Sequence, residues 1–471
     1  MLIEPTPTLR IDVLVVGSGP GGAVTACTLA EAGREVLVVE EGGYLEQDSC
    51  APFSTDEMES KYRNGGLTMA MGTPKVVYVE GRCAGGGSEI NSGLYHRTPP
   101  EVLARWQTGY QVRGLETDLL DPIFEQCERD ISVSYLDTPP PAASLKLHQG
   151  ARKLGWKSLE VPRWFAKGER QSMTRTFLPR AFKAGARMLP NGRILQLHPR
   201  GRRWVALGRV GEDRRVRIEA DVVFVCGGAV QTPALLRRSG FRGNVGRNLQ
   251  LHATVKVIAE FPDVVNARDM GVPVHQVKEF SPKLSFGGSI SSLPYLALAM
   301  TDHPNHLARV PGEWERMASY YVMLAPEGRG SIRCVPGLND PIVRFKLTGR
   351  DLENLADGCR KLCQILLEAG ATSLFPSIRG GPVINSASDL TAIPVQLPTD
   401  TSNLMTIHLF SSCAMGENSA LCATNSFGKV HGAERIFVAD ASLLCTSLGA
   451  NPQGSVMAIA KRNALHFLGQ L

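Results

Sequence analysis

The stretch Val13-Leu-Val-Val-Gly-Ser-Gly-Pro-Gly-Gly22 constrains the fold of this chain more than any other. Four apolar, mostly β-branched residues predict a buried strand over 13–16. They run straight into Gly17, Gly19 and Gly22, a G-x-G-x-x-G spacing, and a helix-grade run follows over 23–32 with Gly33 as its C-terminal stop. A second apolar strand, Val36–Val39, then closes on Glu40. Glycines at these places let backbone N–H groups approach a pyrophosphate, and the helix N-terminus adds partial positive charge. An acidic residue about 20 positions on is placed to accept hydrogen bonds from ribose hydroxyls. The unit predicts a dinucleotide site.

The chain has 471 residues, more than one compact core holds, so two or three substructures are expected. A net charge of +6 is a mild bias, and the densest basic stretch, 193–217, alternates with apolar residues as strands do. That pattern argues against nucleic-acid binding. Eleven scattered cysteines with no C-x-x-C pair fit free thiols in a reducing compartment. With no leader pattern and no apolar run of about 18 residues, a cytoplasmic protein without an integral membrane segment is the expectation, and no metal site is expected.

Beyond Gly43 the chain enters a stretch without clear strands, with a short helix expected over 55–63. Next comes Gly81-Arg-Cys-Ala-Gly-Gly-Gly-Ser-Glu-Ile-Asn-Ser-Gly-Leu94. Three consecutive glycines cost backbone entropy on folding, and they make sense where backbone must lie against a bulky ligand. Residues 100–135 are expected to be helical, as are 142–155 and 179–187, the last with Pro179 at its first position. Strands are expected at 194–197, 204–207 and 216–218, then a doubly buried one at 221–226. It leads through Gly227-Gly228 into a helix over 232–239 with Thr232 as N-cap and Pro233 in the first turn. The region 252–383 reads as an antiparallel sheet, with strands at 254–260, 284–291, 317–324, 330–334 and 342–346 and one covering helix at 351–369. Near the C-terminus, His408 precedes Ser411-Ser-Cys-Ala-Met-Gly416, an apolar strand ends on Asp440, and Asn451-Pro452 opens a long helix with Asn451 as its expected N-cap.

Assembled in this order, the pieces resemble the glucose–methanol–choline (GMC) oxidoreductases over nearly the whole length. The resemblance rests on Gly17–Gly22, on 81–91, on Gly228-Ala-Val-Gln-Thr-Pro233, on Gly246-Arg-Asn-Leu249 before His252, and on the run from His408 through Asp440 to Asn451-Pro452. It implies an α/β fold: a Rossmann-like FAD-binding domain of the glutathione-reductase type, interleaved with an antiparallel-sheet substrate domain. The expected partition is 1–250 for the FAD domain (with an excursion at 44–190 covering the flavin), 251–395 for the substrate domain, and 396–471 for a return carrying the catalytic residues. Two departures stand out. Ser411 and Ser412 replace the family's Gly and Thr, and Ala414 its Arg; Ile90 stands where members with covalent FAD carry histidine, which implies dissociable FAD.

The reaction implied is hydride transfer from an alcohol carbon to flavin N5, with His408 as base and Asn451 hydrogen-bonding the substrate oxygen. The pyrophosphate falls to Gly17, Ser18, Gly19, Pro20 and Gly21, and the adenosine ribose to Glu40 with Glu41 beside it. The second glycine segment contributes Arg82, Gly86, Ser88, Asn91, Gly93 and Leu94. Ile194, Cys226 and Gly227 complete the set expected to bind the cofactor. Asp440 and Ala441 are expected near the ribityl chain, and Pro452 and Gln453 at a helix N-terminus facing the reduced flavin. His252 and His431 read as structural. The substrate is an alcohol of a sugar, an aminoglycoside-like metabolite or a lipophilic molecule, and the electron acceptor stays open among oxygen, a quinone and a protein. An FAD-containing lyase or decarboxylase of the same fold is the alternative.

Overall fold

In the computed structural model, which describes residues 1–4, 8–46, 49–211 and 213–471, the strand Thr8–Val16 lies between two parallel neighbours. Val13 pairs with Val36 on one side and Val222 on the other. Val13, Leu14 and Val15 are completely buried, as a parallel strand covered on both faces must be. The sheet has seven strands. From one edge it runs Gly192–Arg200, Arg203–Val210, Arg214–Val225, Thr8–Val16, Val36–Val39 and Arg187–Leu189, and Ile436–Val438 adds in parallel to the second half of Arg214–Val225.

Three expected elements differ here. The strands expected at 216–218 and 221–226 are one strand, Arg214–Val225. Its first half pairs antiparallel with Arg203–Val210 and exposes alternate residues, whereas Val222–Val225 is buried between parallel partners, so the hydrophobic texture changes along a continuous strand. The helix expected at 179–187 spans Phe177–Lys183, with Pro179 in its first turn, where its missing N–H costs nothing. Arg187 instead begins the edge strand beside Leu37. The single helical stretch expected over 100–135 is two helices, Pro100–Gly109 and Thr117–Asp130.

The second sheet has nine strands, in the order Thr68–Ala70, Val76–Tyr78, Leu404–Thr406, Ala253–Glu260, Met317–Leu324, Leu284–Gly288, His275–Val277 and Ser158–Glu160, with Ser373–Pro376 also on Ala253–Glu260. It draws strands from all three parts of the chain, so the substrate side is interleaved more deeply than a segment 251–395. The helix Gly349–Glu368 covers it, with Leu355, Cys359, Leu362, Ile365 and Leu366 fully buried. Thr348 and Asp351 form its capping box, each satisfying the other's backbone N–H.

A four-stranded sheet bridges the two: Ile342–Lys346, Arg329–Arg333, Arg247–Leu251 and Leu409–Phe410. Its last pairing is antiparallel, Gln250 opposite Phe410 and Leu251 opposite Leu409. The next pair outward is therefore His252 and His408, and the His252 N–H donates to the His408 carbonyl at 3.2 Å. Among the described residues no helix is long and apolar enough to cross a membrane.

Candidate active site

The glycines of the first turn divide into two kinds. A Cβ on Gly17 would stand 2.4 Å from the Cys226 carbonyl oxygen, one on Gly21 1.9 Å from that of Ala439, and one on Gly22 2.1 Å from that of Gly17. These three are glycine because the protein itself approaches. Gly19 differs: a Cβ there would meet only the Gly86 Cα, at 4.0 Å, and one on Gly87 would meet nothing within 4 Å. Glycine at 19 and 87 thus leaves open space that no protein group fills. Beside it starts the helix Pro20–Glu31, whose first-turn amides at Gly21 and Gly22 have no intrahelical acceptor. A cradle of bare backbone and unpaired donors fits the pyrophosphate of a dinucleotide.

Ser18 is fully buried and knits the two glycine segments together. Its hydroxyl donates to Glu40 Oε2 at 2.7 Å and accepts the Gly85 N–H at 3.1 Å. Glu40 also accepts the Ser18 and Gly42 N–H groups, at 2.9 and 2.8 Å, and burial pushes its pKa up against these donors. Ser18 is framework rather than a free ligand. Next to Glu40, Glu41 is clamped by Arg63 at 3.0 and 2.8 Å, with Arg193 and Arg82 at 3.4 and 3.5 Å. Burial opposes ionisation of Glu41, but Arg63, Arg193 and Arg82 outweigh it and hold its pKa low. Half-exposed Arg82 keeps most of its guanidinium available, whereas Glu41 is committed to the arginines.

Within the second glycine segment the side chains hold the loop and the backbone is left bare. Ser88 donates to the Gly85 carbonyl at 2.7 Å and accepts the Met173 N–H at 3.1 Å. Gly93 has φ +77°, and a Cβ there would collide with Phe165. Leu94 packs in a small core with Val161 and Val274. Asn91 reaches across the fold, donating from Nδ2 to Gln453 Oε1 at 2.7 Å, while its Oδ1 accepts the Gly93 N–H at 3.0 Å. The segment expected to lie on the flavin is thereby joined to the N-terminus of the helix Gln453–Phe467.

Beside the first glycine turn, where Ala439 closes on Gly21, Asp440 is fully engaged within the protein. Its Oδ1 accepts from the Ser442 N–H and hydroxyl at 2.8 and 2.5 Å, and its Oδ2 from the Gly228 N–H and the Thr232 hydroxyl at 2.9 and 2.5 Å. Thr232 in turn accepts the Gly227 N–H at 2.8 Å. The helix expected to start at Thr232 therefore starts earlier, spanning Gly228–Arg238 with Gly227 as N-cap. Pro233 then sits inside it and cannot bond the Ala229 carbonyl four residues back; the Ser412 hydroxyl does so instead, at 2.6 Å. Cys226 and Ile194 are core residues. Ala441 opens a short turn capped by Asp440.

The C-terminal helix also begins one position late. Its N-cap is Pro452, and Asn451 lies outside it. Rather than capping, Asn451 Oδ1 accepts Gln276 Nε2 at 3.2 Å, and the same amide bonds the Tyr321 hydroxyl at 3.1 Å. Gln276 lies in the strand His275–Val277 and Lys278 directly follows it. Lys278 Nζ donates to Ser285 at 3.1 Å and to the Gly449 carbonyl at 3.4 Å, and burial lowers its pKa to about 8.

His408 meets His252, with Nδ1 to Nδ1 at 3.0 Å. His252 is completely buried, and its Nε2 accepts the N–H groups of Leu448 and Gly449 at 3.2 and 2.9 Å. His252, expected to be purely structural, thus connects His408 with the loop that carries Asn451. Burial first, and then Lys278, lower the His408 pKa to about 3. Its backbone is fixed by Thr406, whose hydroxyl accepts the His408 N–H at 3.1 Å and donates to its carbonyl at 3.0 Å. His431 lies apart, its N–H on the Ala423 carbonyl. Sequence reasoning missed Gln276, Tyr321, Lys278 and the role of His252. Only His252 carried a signal, its place at the end of the Gly246–Leu249 block.

A parallel sheet with this glycine cradle fits a dinucleotide cofactor, and the comparisons make the class an FAD-dependent oxidoreductase. Residues 12–54 match the FAD binding domain model. Residues 58–254 and 326–460 match the two GMC oxidoreductase models, so the chain belongs to the GMC oxidoreductase family. An uncharacterized GMC-type oxidoreductase of Sinorhizobium fredii is 36% identical, over 97% of this chain and 94% of its own length. A long-chain-alcohol oxidase of Arabidopsis thaliana is 27% identical, over 97% of this chain and 68% of its own. Among solved structures, pyridoxine 4-oxidase from Mesorbium loti superposes with a TM-score of 0.76 at 19% identity, covering 98% of this chain and 99% of that one. Formate oxidase of Aspergillus oryzae gives 0.76 at 16% identity, covering 98% of each.

Proposed function

We propose that this flavoenzyme oxidises a primary or secondary alcohol to a carbonyl, with His408 handling the hydroxyl proton as base and Asn451 holding the substrate oxygen. Bound FAD supplies the hydride acceptor, flavin N5. The observation that carries the reading is His408 itself, a buried neutral histidine whose Nε2 has no partner among the described residues, while its Nδ1 and backbone are held by His252 and Thr406. A histidine immobilised on one edge and free on the other suits contact with a substrate hydroxyl. Asn451, unable to take a proton, is held by Gln276 and suits orientation. The relatives named long-chain-alcohol oxidases support an alcohol substrate, within a class that spans sugars, aminoglycoside-like metabolites and lipophilic alcohols.

The FAD is proposed to be dissociable, because Ile90 offers no nucleophile where a covalent linkage would form, and the protein is proposed to be cytoplasmic. The acceptor that reoxidises the flavin is oxygen, a quinone or a protein. Anaerobic mixing with a panel of alcohols, read by flavin absorbance, tests the function: substrates bleach the flavin, and a panel without bleaching supports a lyase or decarboxylase instead.

A further inference from the structure

Backbone N–H groups can only donate, so the two that meet His252 Nε2, from Leu448 and Gly449, find a nitrogen without a hydrogen. A neutral ring has one N–H, which for His252 must then be at Nδ1. That hydrogen points at His408 Nδ1, 3.0 Å away, which must accept it. By the same rule the single hydrogen of neutral His408 is on Nε2, the nitrogen with no protein partner. Two main-chain amides thus dictate, through His252, which edge of His408 carries its hydrogen.

We infer that His252 is a positioning residue that fixes the tautomer of His408, so that resting His408 presents an Nε2–H and first meets the substrate oxygen as a hydrogen-bond donor. The inference rests on the reading above that His408 contacts the substrate hydroxyl, and it restricts the base role. Nε2 can accept a proton only after its own hydrogen has moved to Nδ1. That exchange would leave His252 to take a hydrogen at Nε2, facing the two amide donors. A buried N–H facing two other donors is left without an acceptor, so the exchanged pair is a minor state. A neutral imidazole that donates is an established way to polarise a substrate oxygen. The charged group facing both histidines, Lys278, also disfavours a cation on His408.

The test is spectroscopic. Histidine-ring ¹⁵N-labelled holoprotein is examined by two-bond ¹⁵N–¹H correlation at neutral pH, with signals assigned from His408→Asn and His252→Asn. The expected result is the Nε2–H tautomer for His408 and the Nδ1–H tautomer for His252. In His252→Phe, which neither donates nor accepts, the His408 signals move towards a tautomer mixture and its protonation midpoint rises. An Nδ1–H His408 in the unsubstituted protein overturns the inference, as does a His408 spectrum unchanged by His252→Phe. If a variant does not fold, the unsubstituted spectrum decides alone. Failure to find an alcohol that bleaches the flavin would sink the functional reading and leave this spectrum interpretable.

Discussion

The hydroxyl of Thr232 donates to Asp440 at 2.5 Å across 208 positions of sequence, and the same oxygen accepts the Gly227 N–H. This one side chain fastens the strand-to-helix turn at Gly227-Gly228 to the loop that leads into the C-terminal helix. Thr232→Val keeps the shape and removes both bonds, leaving a buried carboxylate and an amide short of partners. The expected loss is about 2–4 kcal/mol, read as a lower melting temperature, with faster FAD release on dilution.

His408→Ala is expected to retain FAD, because none of the bonds of the glycine cradle involve it. Flavin reduction should slow by roughly 10²-fold or more, whether the residue acts as base or as donor. Stopped-flow reduction at saturating alcohol measures this, and an unchanged rate would place the proton-handling group elsewhere.

Acid precipitation of the purified protein should leave all of the yellow colour in the supernatant. Ile90 follows the helical turn Gly86–Glu89 and precedes Asn91, and it has no atom able to bond a flavin carbon. Colour in the pellet would require another attachment residue.

Ser411 stands at φ +65° with its hydroxyl buried and unpartnered. The family's glycine at this place now has a reason: it is a left-handed position, which costs a side-chain residue about 1–2 kcal/mol. Ser411→Gly removes that strain and the unpaired hydroxyl, against about 0.5–1 kcal/mol of added unfolded-chain entropy. The substitution is expected to stabilise the protein by about 1 kcal/mol, measurable as a raised urea midpoint.

Six histidines have lowered pKa values, His408 to about 3 and His275 to about 4, with His252, His96, His148 and His466 also shifted down, all chiefly through burial. An unfolded histidine titrates near 6.5, so between that pH and the folded values the unfolded chain binds more protons. Stability is therefore full above pH 6.5 and falls as pH drops from there towards about 3. Melting temperatures from pH 7.5 to 4.5 should show this slope, and His275→Gln, which cannot charge, should make it shallower.

The sequence made the first βαβ unit and its cofactor legible because strand, glycine spacing and closing acid are all local. The same was true of the helix Gly349–Glu368, whose apolar stripe is periodic. Helix starts were misread at Thr232 and Asn451 for one physical reason: residues that usually cap were taken by distant partners, Asp440 and Gln276. Gln276, Tyr321 and Lys278 had no local pattern, since strand pairing alone brings them to His408 and Asn451, and His252 carried only its place at the end of the Gly246–Leu249 block. Ser412, noted only as a replacement for Thr, proves to supply the hydrogen bond that Pro233 cannot.

The bond between Asn91 and Gln453 also has a consequence in time. Its partners are 362 positions apart, and a ribosome adding about 5–20 residues per second delivers the second long after the first. The glycine cradle is translated early, but the wall joined to the helix Gln453–Phe467 can close only once that helix has left the ribosome. A chain cut short before Gln453 therefore cannot make this bond, and the second glycine segment is left without its tie to that helix.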